Sequence, residues 1–301
     1  MGGTTFNAAV YQNYSRSVSA KPTAAIFTAS GLHAGLDPSK ISMRESRDSI
    51  ANPTSTPVMI FCDVTGSMGE IATQIVKKGL GTVALQLYDR QADLCPHILL
   101  GAIGDMECDN APLQVTQFEA GVEPLTTQIE RIYMEGGGGG NHGESYSLAY
   151  LFAAQKTVSD SFSKRGKKGF LFTIGDEACL PVMRQAALQA LGFTAQSDIT
   201  AEQAIAMASV SYEIFHIVVH TSATDYQKAI PKWQALLPQR VIELKSLDNL
   251  AEVIVSAIQV VIGHDKDAVI SSWDGSTAMT VKTALRDITA SNAGVGGPVS
   301  V

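Results

Sequence analysis

The segment Asp63-Val64-Thr65-Gly66-Ser67-Met68-Gly69 sets one carboxylate and two hydroxyls at every second position, in a turn between an apolar run and a helical pattern. Alternate residues of an extended turn point to one side, so Asp63, Thr65 and Ser67 can present three hard oxygen donors together. Such donors suit Mg2+, which takes oxygen ligands in octahedral geometry and keeps several waters. The competing role is structural, because either hydroxyl also suits a helix N-cap. Two further polar segments follow. Five glycines, residues 136–140, lead into Asn141-His142-Gly143-Glu144, and Gly175 leads into Asp176-Glu177.

These segments gain meaning from the elements that carry them. Residues 58–62 (VMIFC) form a continuous apolar run of the kind buried in a parallel sheet. Ile71, Ile75, Leu80, Val83, Ala84 and Leu87 then recur at helical spacing. Residues 97–104 and 113–118 read as second and third strands, and 124–133 as a short helix. A helix around Leu148, Leu151 and Phe152 precedes a strand at 169–174. A helix at 182–191 and strands at 212–220 and 240–244 follow, and 250–261 gives the cleanest amphipathic helix. Alternating strands and helices predict an α/β fold, a Rossmann-like open, mostly parallel sheet with helices on both faces. Ligands of such sheets gather at the C-terminal strand ends, where all three polar segments stand.

Three polar loops in this order resemble a von Willebrand factor A domain, whose metal-ion-dependent adhesion site is written D-x-S-x-S, then a Thr, then an Asp. The resemblance covers residues 58–262 and is nearest to the branch found beside alpha-kinases and in bacterial and phage proteins. There the loops read like D-T-T-G-S-M and G-G-G-D-x-P-E, matched here by residues 63–68 and 138–144, with Asp105 after the second strand. The resemblance implies Asp63, Thr65 and Ser67 as first-loop ligands and Asp176 as the third-loop carboxylate. The second-loop Thr falls on Gly140 or Asn141, so Asn141 is the expected ligand there, through its carbonyl oxygen, with Glu144 in reach of the site or a bound water. The implied cofactor is Mg2+, or another divalent cation such as Mn2+ or Ca2+. Two carboxylates leave the ion's charge under-compensated, and a carboxylate from a protein partner can replace a bound water.

Enzymatic rivals meet specific absences. A dehalogenase-like phosphotransferase needs a second Asp where Thr65 stands, and a G-x-S-x-G elbow needs Gly there. No P-loop is present, and the G-x-G-x-x-G of Gly138, Gly140 and Gly143 follows a helical segment rather than a strand. The expectation is a non-enzyme, with a metal-dependent hydrolase as the catalytic rival. His142 reads as a loop histidine beside the site, and His216 and His220 as packing residues of one strand face.

With 22 basic against 29 acidic residues and a formal charge of −7, the chain lacks the broad basic surface that nucleic acid demands, and its basic knot at residues 164–168 (KRGKK) reads as a solvated turn before a strand. A 45 % apolar content supplies a core and excludes disorder as the dominant state. No apolar run is long enough for a bilayer, and four scattered cysteines with no secretory leader point to a cytoplasmic protein. Residues 1–57 are Ser-, Thr- and Ala-rich with four prolines. They read as an N-terminal arm, wrapped on its own domain or a neighbour, or as a disordered tail; residues 24–29 suggest a short strand. An arm of this kind makes a homo-oligomer or a phage or bacterial assembly subunit the alternative reading. Residues 263–301 form a C-terminal tail with a short helix expected at 273–288.

Overall fold

The computed structural model describes residues 7–19, 26–66, 68, 73–75, 80–134, 143–221 and 226–291. Its centre is a six-stranded sheet of β2 (Thr56–Asp63), β3 (Pro96–Ile103), β4 (Leu113–Val115), β6 (Gly169–Gly175), β9 (Tyr212–Val219) and β10 (Val241–Leu244). The strands lie in the order β4-β3-β2-β6-β9-β10, and only β4 is antiparallel. The chain therefore starts in the middle, runs out to one edge, and returns to build the other half. Ligands of open sheets bind at such a reversal, here between the C-terminal ends of β2 and β6. The protein is an α/β fold with a mostly parallel sheet sandwiched between helices.

The apolar run of β2 is continuous because both faces of the strand are covered. Val58, Ile60 and Cys62 face one core with α2 (Leu80–Arg90) and α9 (Leu250–Val261). Met59 and Phe61 face the other, with α4 (Ser147–Lys156), α7 (Ala201–Ala208) and α8 (Tyr226–Leu236). Neighbouring residues point to opposite faces, so alternation within an all-apolar strand separates two cores rather than core from solvent. Helix α4 is buried over most of its circumference, which explains why the residues around Leu148 show no polar stripe.

Several elements differ from the sequence expectation. Residues 26–29 form no strand; Ile26 and Phe27 are instead buried in the first core. The helix expected over 182–191 is divided, because β7 (Val182–Met183) pairs antiparallel with β8 (Ile199–Thr200) before α6 (Gln185–Ala190) begins. In the C-terminal tail, α10 (Lys266–Ser271) and α11 (Gly275–Ala284) place Val269, Val281 and Ala284 in the first core. At the N-terminus, α1 (Ala8–Ser19) forms where no sustained helical period is visible.

Residues 36–55 are fastened to the domain. β1 (Arg44–Ser46) pairs in parallel with β5 (Thr157–Ser159), and α5 (Asp160–Arg165) follows. The Asp160 carboxylate accepts from Arg47 Nη1 at 2.9 Å and the Asp48 amide at 2.9 Å, and meets Lys164 Nζ at 2.7 Å. Burial works against its charge, but these donors outweigh it and hold the carboxyl well below the usual range. Arg165 adds a 2.7 Å pair with Asp48. At the end of α4, the buried Lys156 ammonium donates to the carbonyls of Pro38 at 2.6 Å and Ile41 at 3.0 Å. Lys156→Met removes both charge-assisted bonds, and a loss of about 2 kcal/mol is expected. Urea unfolding and proteolysis near residues 38–41 measure it; an unchanged midpoint and cleavage pattern would refute this anchor.

Candidate metal centre

Three loops at the C-terminal edge of the sheet are tied to one another by hydrogen bonds. Asp63 is the last residue of β2, and the pairing of Cys62 with Ile174 sets it beside the end of β6, immediately before Asp176. Asp105 stands two residues past the end of β3. The Met106 amide donates to Ser145 Oγ at 2.8 Å. The Glu144 amide donates to the Ala178 carbonyl at 2.9 Å, and the Leu180 amide returns a bond to Glu144 at 3.0 Å. The switch point marked by strand order is thus a cross-linked rim that carries acids.

Asp63, Asp105 and Asp176 are each 0 % exposed, Thr65 is 2 % and Glu144 is 5 % exposed. Asp63 Oδ1 accepts from the Thr65 amide at 2.8 Å and from Thr65 Oγ1 at 2.6 Å; Oδ2 accepts from the Tyr146 hydroxyl at 2.9 Å. The Asp-to-amide bond two residues on closes a local turn, the reason an Asx residue suits this strand end. Asp105 makes the same turn with the Glu107 amide at 2.8 Å. Asp176 Oδ2 accepts from Thr221 Oγ1 at 2.7 Å. A Thr65 hydroxyl that gives its proton to Asp63 is left with acceptor lone pairs, the form in which a hydroxyl ligates a cation.

The electrostatics are those of a site short of positive charge. Burial raises the Asp63 carboxyl to about 7, and the nearby Asp176 charge adds to the rise, against the stabilising donors Thr65 and Tyr146. Glu144 rises to about 9, first through burial and then through Asp63, Asp105, Asp109 and Glu177. Glu144 Oε2 is buried with no hydrogen-bond partner. No Lys or Arg counters either acid among the described residues. A buried carboxylate is retained only when paired, protonated or bound to a metal.

The residues present fit a hard cation on these grounds: the orphaned Glu144 Oε2, and the buried acids Asp63 and Glu144 without a basic partner among the described residues. Among the described residues no three His, Cys, Asp or Glu side chains are grouped to hold a metal by themselves. Any ligand set therefore needs hydroxyls, amide carbonyls or water besides the acids. Mg2+ meets that condition because it usually retains several waters.

The sequence expectation named Asp63, Thr65, Ser67, Asn141 and Asp176. The structure brings Asp63 and Thr65 into direct contact and sets Asp176 on the adjoining strand end. Ser67, Asn141, His142 and residues 136–140 lie outside the described residues. Glu144 belongs to the rim more firmly than its distance in sequence suggests. Tyr146 has no signal in the motif, and its bond to Asp63 spans 83 positions. His216 is buried as expected, while His220 stacks on Tyr226 at 4.1 Å.

No family model matches the chain, and no curated protein matches it. Among solved structures, it is similar to the pilus adhesin SpaC from Lactobacillus rhamnosus GG in its open conformation. That match has 11 % identity and a TM-score of 0.45, covering 72 % of this chain and 30 % of that one. A von Willebrand factor type A structure from Catenulispora acidiphila matches with 14 % identity and a TM-score of 0.39, over 67 % of this chain and 41 % of the other. Proximal thread matrix protein 1 from the mussel byssus matches with 8 % identity and a TM-score of 0.42, over 77 % and 48 %. The chain spans less than half the length of each of these structures. At such TM-scores the likenesses add nothing to the architecture that strand order and register already establish.

Proposed function

We propose that the acidic rim binds a divalent cation, Mg2+ foremost with Mn2+ and Ca2+ as alternatives, and uses it to grip a carboxylate on a protein partner. The observation that carries this reading is the pair of buried acids, Asp63 and Glu144, that lack a basic counter-ion among the described residues, with Glu144 Oε2 left without a partner. Asp63 and Asp176 would hold the ion directly or through water, and Thr65 would offer its hydroxyl. Ser67 and Asn141 are the further ligands proposed from the motif, and Glu144 is added to them from its burial. When bound, the ion supplies the local positive charge that a chain of net −7 otherwise lacks. An acidic partner then has an attractive centre within a generally repulsive surface.

Isothermal titration calorimetry tests this directly. Mg2+ is expected to give a saturable heat with the wild-type chain and none with Asp63→Ala, whose circular dichroism spectrum stays that of the wild type. Unchanged Mg2+ binding in the variant would sink the proposal. Metal-dependent hydrolysis of phosphate or ester substrates, lost with Asp63→Ala, would instead establish the catalytic rival.

A further inference from the structure

Beneath the rim lies a group of three fully buried rings, Tyr146, His216 and Trp233, each 0 % exposed. The His216 ring lies flat on Trp233, with centroids 3.5 Å apart and planes 11° from parallel. Tyr146 meets both edge-on, at 5.0 Å from His216 and 5.3 Å from Trp233. The order of this group is fixed from below. His216 Nδ1 lies 2.8 Å from Thr173 Oγ1, and the Tyr150 hydroxyl lies 2.8 Å from the same oxygen. Burial pushes the His216 imidazole well below its usual range, so the ring on Trp233 is neutral.

The polar tips of two of these rings leave the core in different directions. The Tyr146 hydroxyl donates to Asp63 Oδ2 at 2.9 Å. Trp233 Nε1 donates at 2.9 Å to the carbonyl of Glu177, the residue after Asp176. Phe in place of Tyr146 keeps the ring and loses only the hydroxyl, whereas in place of Trp233 it gives up a ring as well as the donor; neither Phe could make the bond. One ring thus holds the carboxylate at the end of β2, and its neighbour holds the loop after β6. The two rings touch, so the two loops share one rigid support. Trp233 also ties that support to α8, where Pro231, two residues earlier, removes a backbone donor from the helix interior.

We infer that Tyr146 and Trp233 are positioning residues that set the Asp63 carboxylate and the Asp176 loop in register for a cation. The inference rests on the cation-site reading above and goes beyond it by assigning roles to two residues that are not ligands. Partners that orient metal ligands from behind typically change affinity by about 10- to 100-fold when removed. A Tyr146 ring serving only as core filling would leave affinity untouched when replaced by Phe.

The test uses the full chain. The protein has 2 tryptophans, so Trp273→Phe leaves Trp233 as the single indole. Titrating that protein with MgCl2 is expected to change Trp233 emission, with the midpoint found by calorimetry. Tyr146→Phe and, separately, Trp233→Phe in the otherwise native chain are expected to raise the calorimetric Kd for Mg2+ by about 10-fold or more, with native circular dichroism. Wild-type Kd in both variants overturns the inference alone. So does Trp233 emission that stays constant through calorimetric saturation. A wild-type chain that takes up no Mg2+ overturns the cation-site reading and this inference with it.

Discussion

Gly175→Ala is expected to cost about 3 kcal/mol of folding stability, at the upper end of the usual penalty for overfilling a packed interior. A Cβ on Gly175 would overlap the Tyr146 hydroxyl and stand 2.7 Å from its Cζ. Both residues are in the buried layer beside Asp63, so neither can swing into solvent. Ala would therefore displace either the last residues of β6 or the ring that holds the Asp63 carboxylate. Tyr146→Phe removes the atom in worst conflict, although ring carbons closer than 3.0 Å remain. The cost of Gly175→Ala should therefore fall by about 1 kcal/mol or more in the Tyr146→Phe background. Urea unfolding of the four proteins completes the cycle. Equal costs in both backgrounds would show that the close approach is not what requires glycine.

In the absence of divalent metal, stability is expected to fall as pH rises, contrary to the usual behaviour of carboxylates in folded proteins. Asp63 titrates near 7 in the fold because of its burial and the Asp176 charge, against about 3.9 in an unfolded chain. Between those values the native state holds a proton that the unfolded state has released. By linkage, the stabilisation is complete below the unfolded pKa and is lost as pH rises through the folded one. The loss amounts to at most about 4 kcal/mol. Glu144, raised to about 9, extends the same trend to higher pH. Asp63→Asn removes the Asp63 contribution, so in EDTA at pH 8 the variant should exceed the wild type by up to about 4 kcal/mol, with little difference near pH 4. Urea unfolding at both pH values reads Asp63 together with the relief its removal gives to Glu144, whose carboxyl the Asp63 charge helps to raise. A variant less stable than wild type at pH 8 would contradict the electrostatics argued for the rim.

Much of this architecture is visible in the residue pattern because burial on both faces makes parallel strands read as unbroken apolar runs. β2, β6 and β9 announce themselves in that way, and the polar residues just beyond them stand out by contrast. Asp63, Thr65 and Asp176 were legible for that reason. Helices α7 and α8 are absent from the sequence expectation: the start of α7 is marked only by the reciprocal capping box of Thr200 and Gln203, and Pro231 interrupts α8. The pairing of β1 with β5 joins residues more than a hundred positions apart through three-residue strands, too short to show a period. Tyr146 and Trp233 were illegible as site residues for a related reason. A buried aromatic looks the same in sequence whether it fills space or aims a hydroxyl at a carboxylate, and only packing decides between them.

The two ends of the central sheet handle their acids differently. At the end where the strands begin, Asp48 and Asp160 are neutralised by Arg47, Lys164 and Arg165. At the end where they finish, Asp63 and Glu144 have no such partners among the described residues. At pH values where those acids ionise, this asymmetry adds a dipole component along the strands. An approaching charged body then exerts a torque before any contact is made. An acidic surface would turn the bare rim away from itself, whereas a rim carrying a doubly charged ion would resist that turning. Loading the ion would then alter which end meets the partner first as well as how long the encounter lasts. The orientational part should fade as ionic strength shortens the screening length.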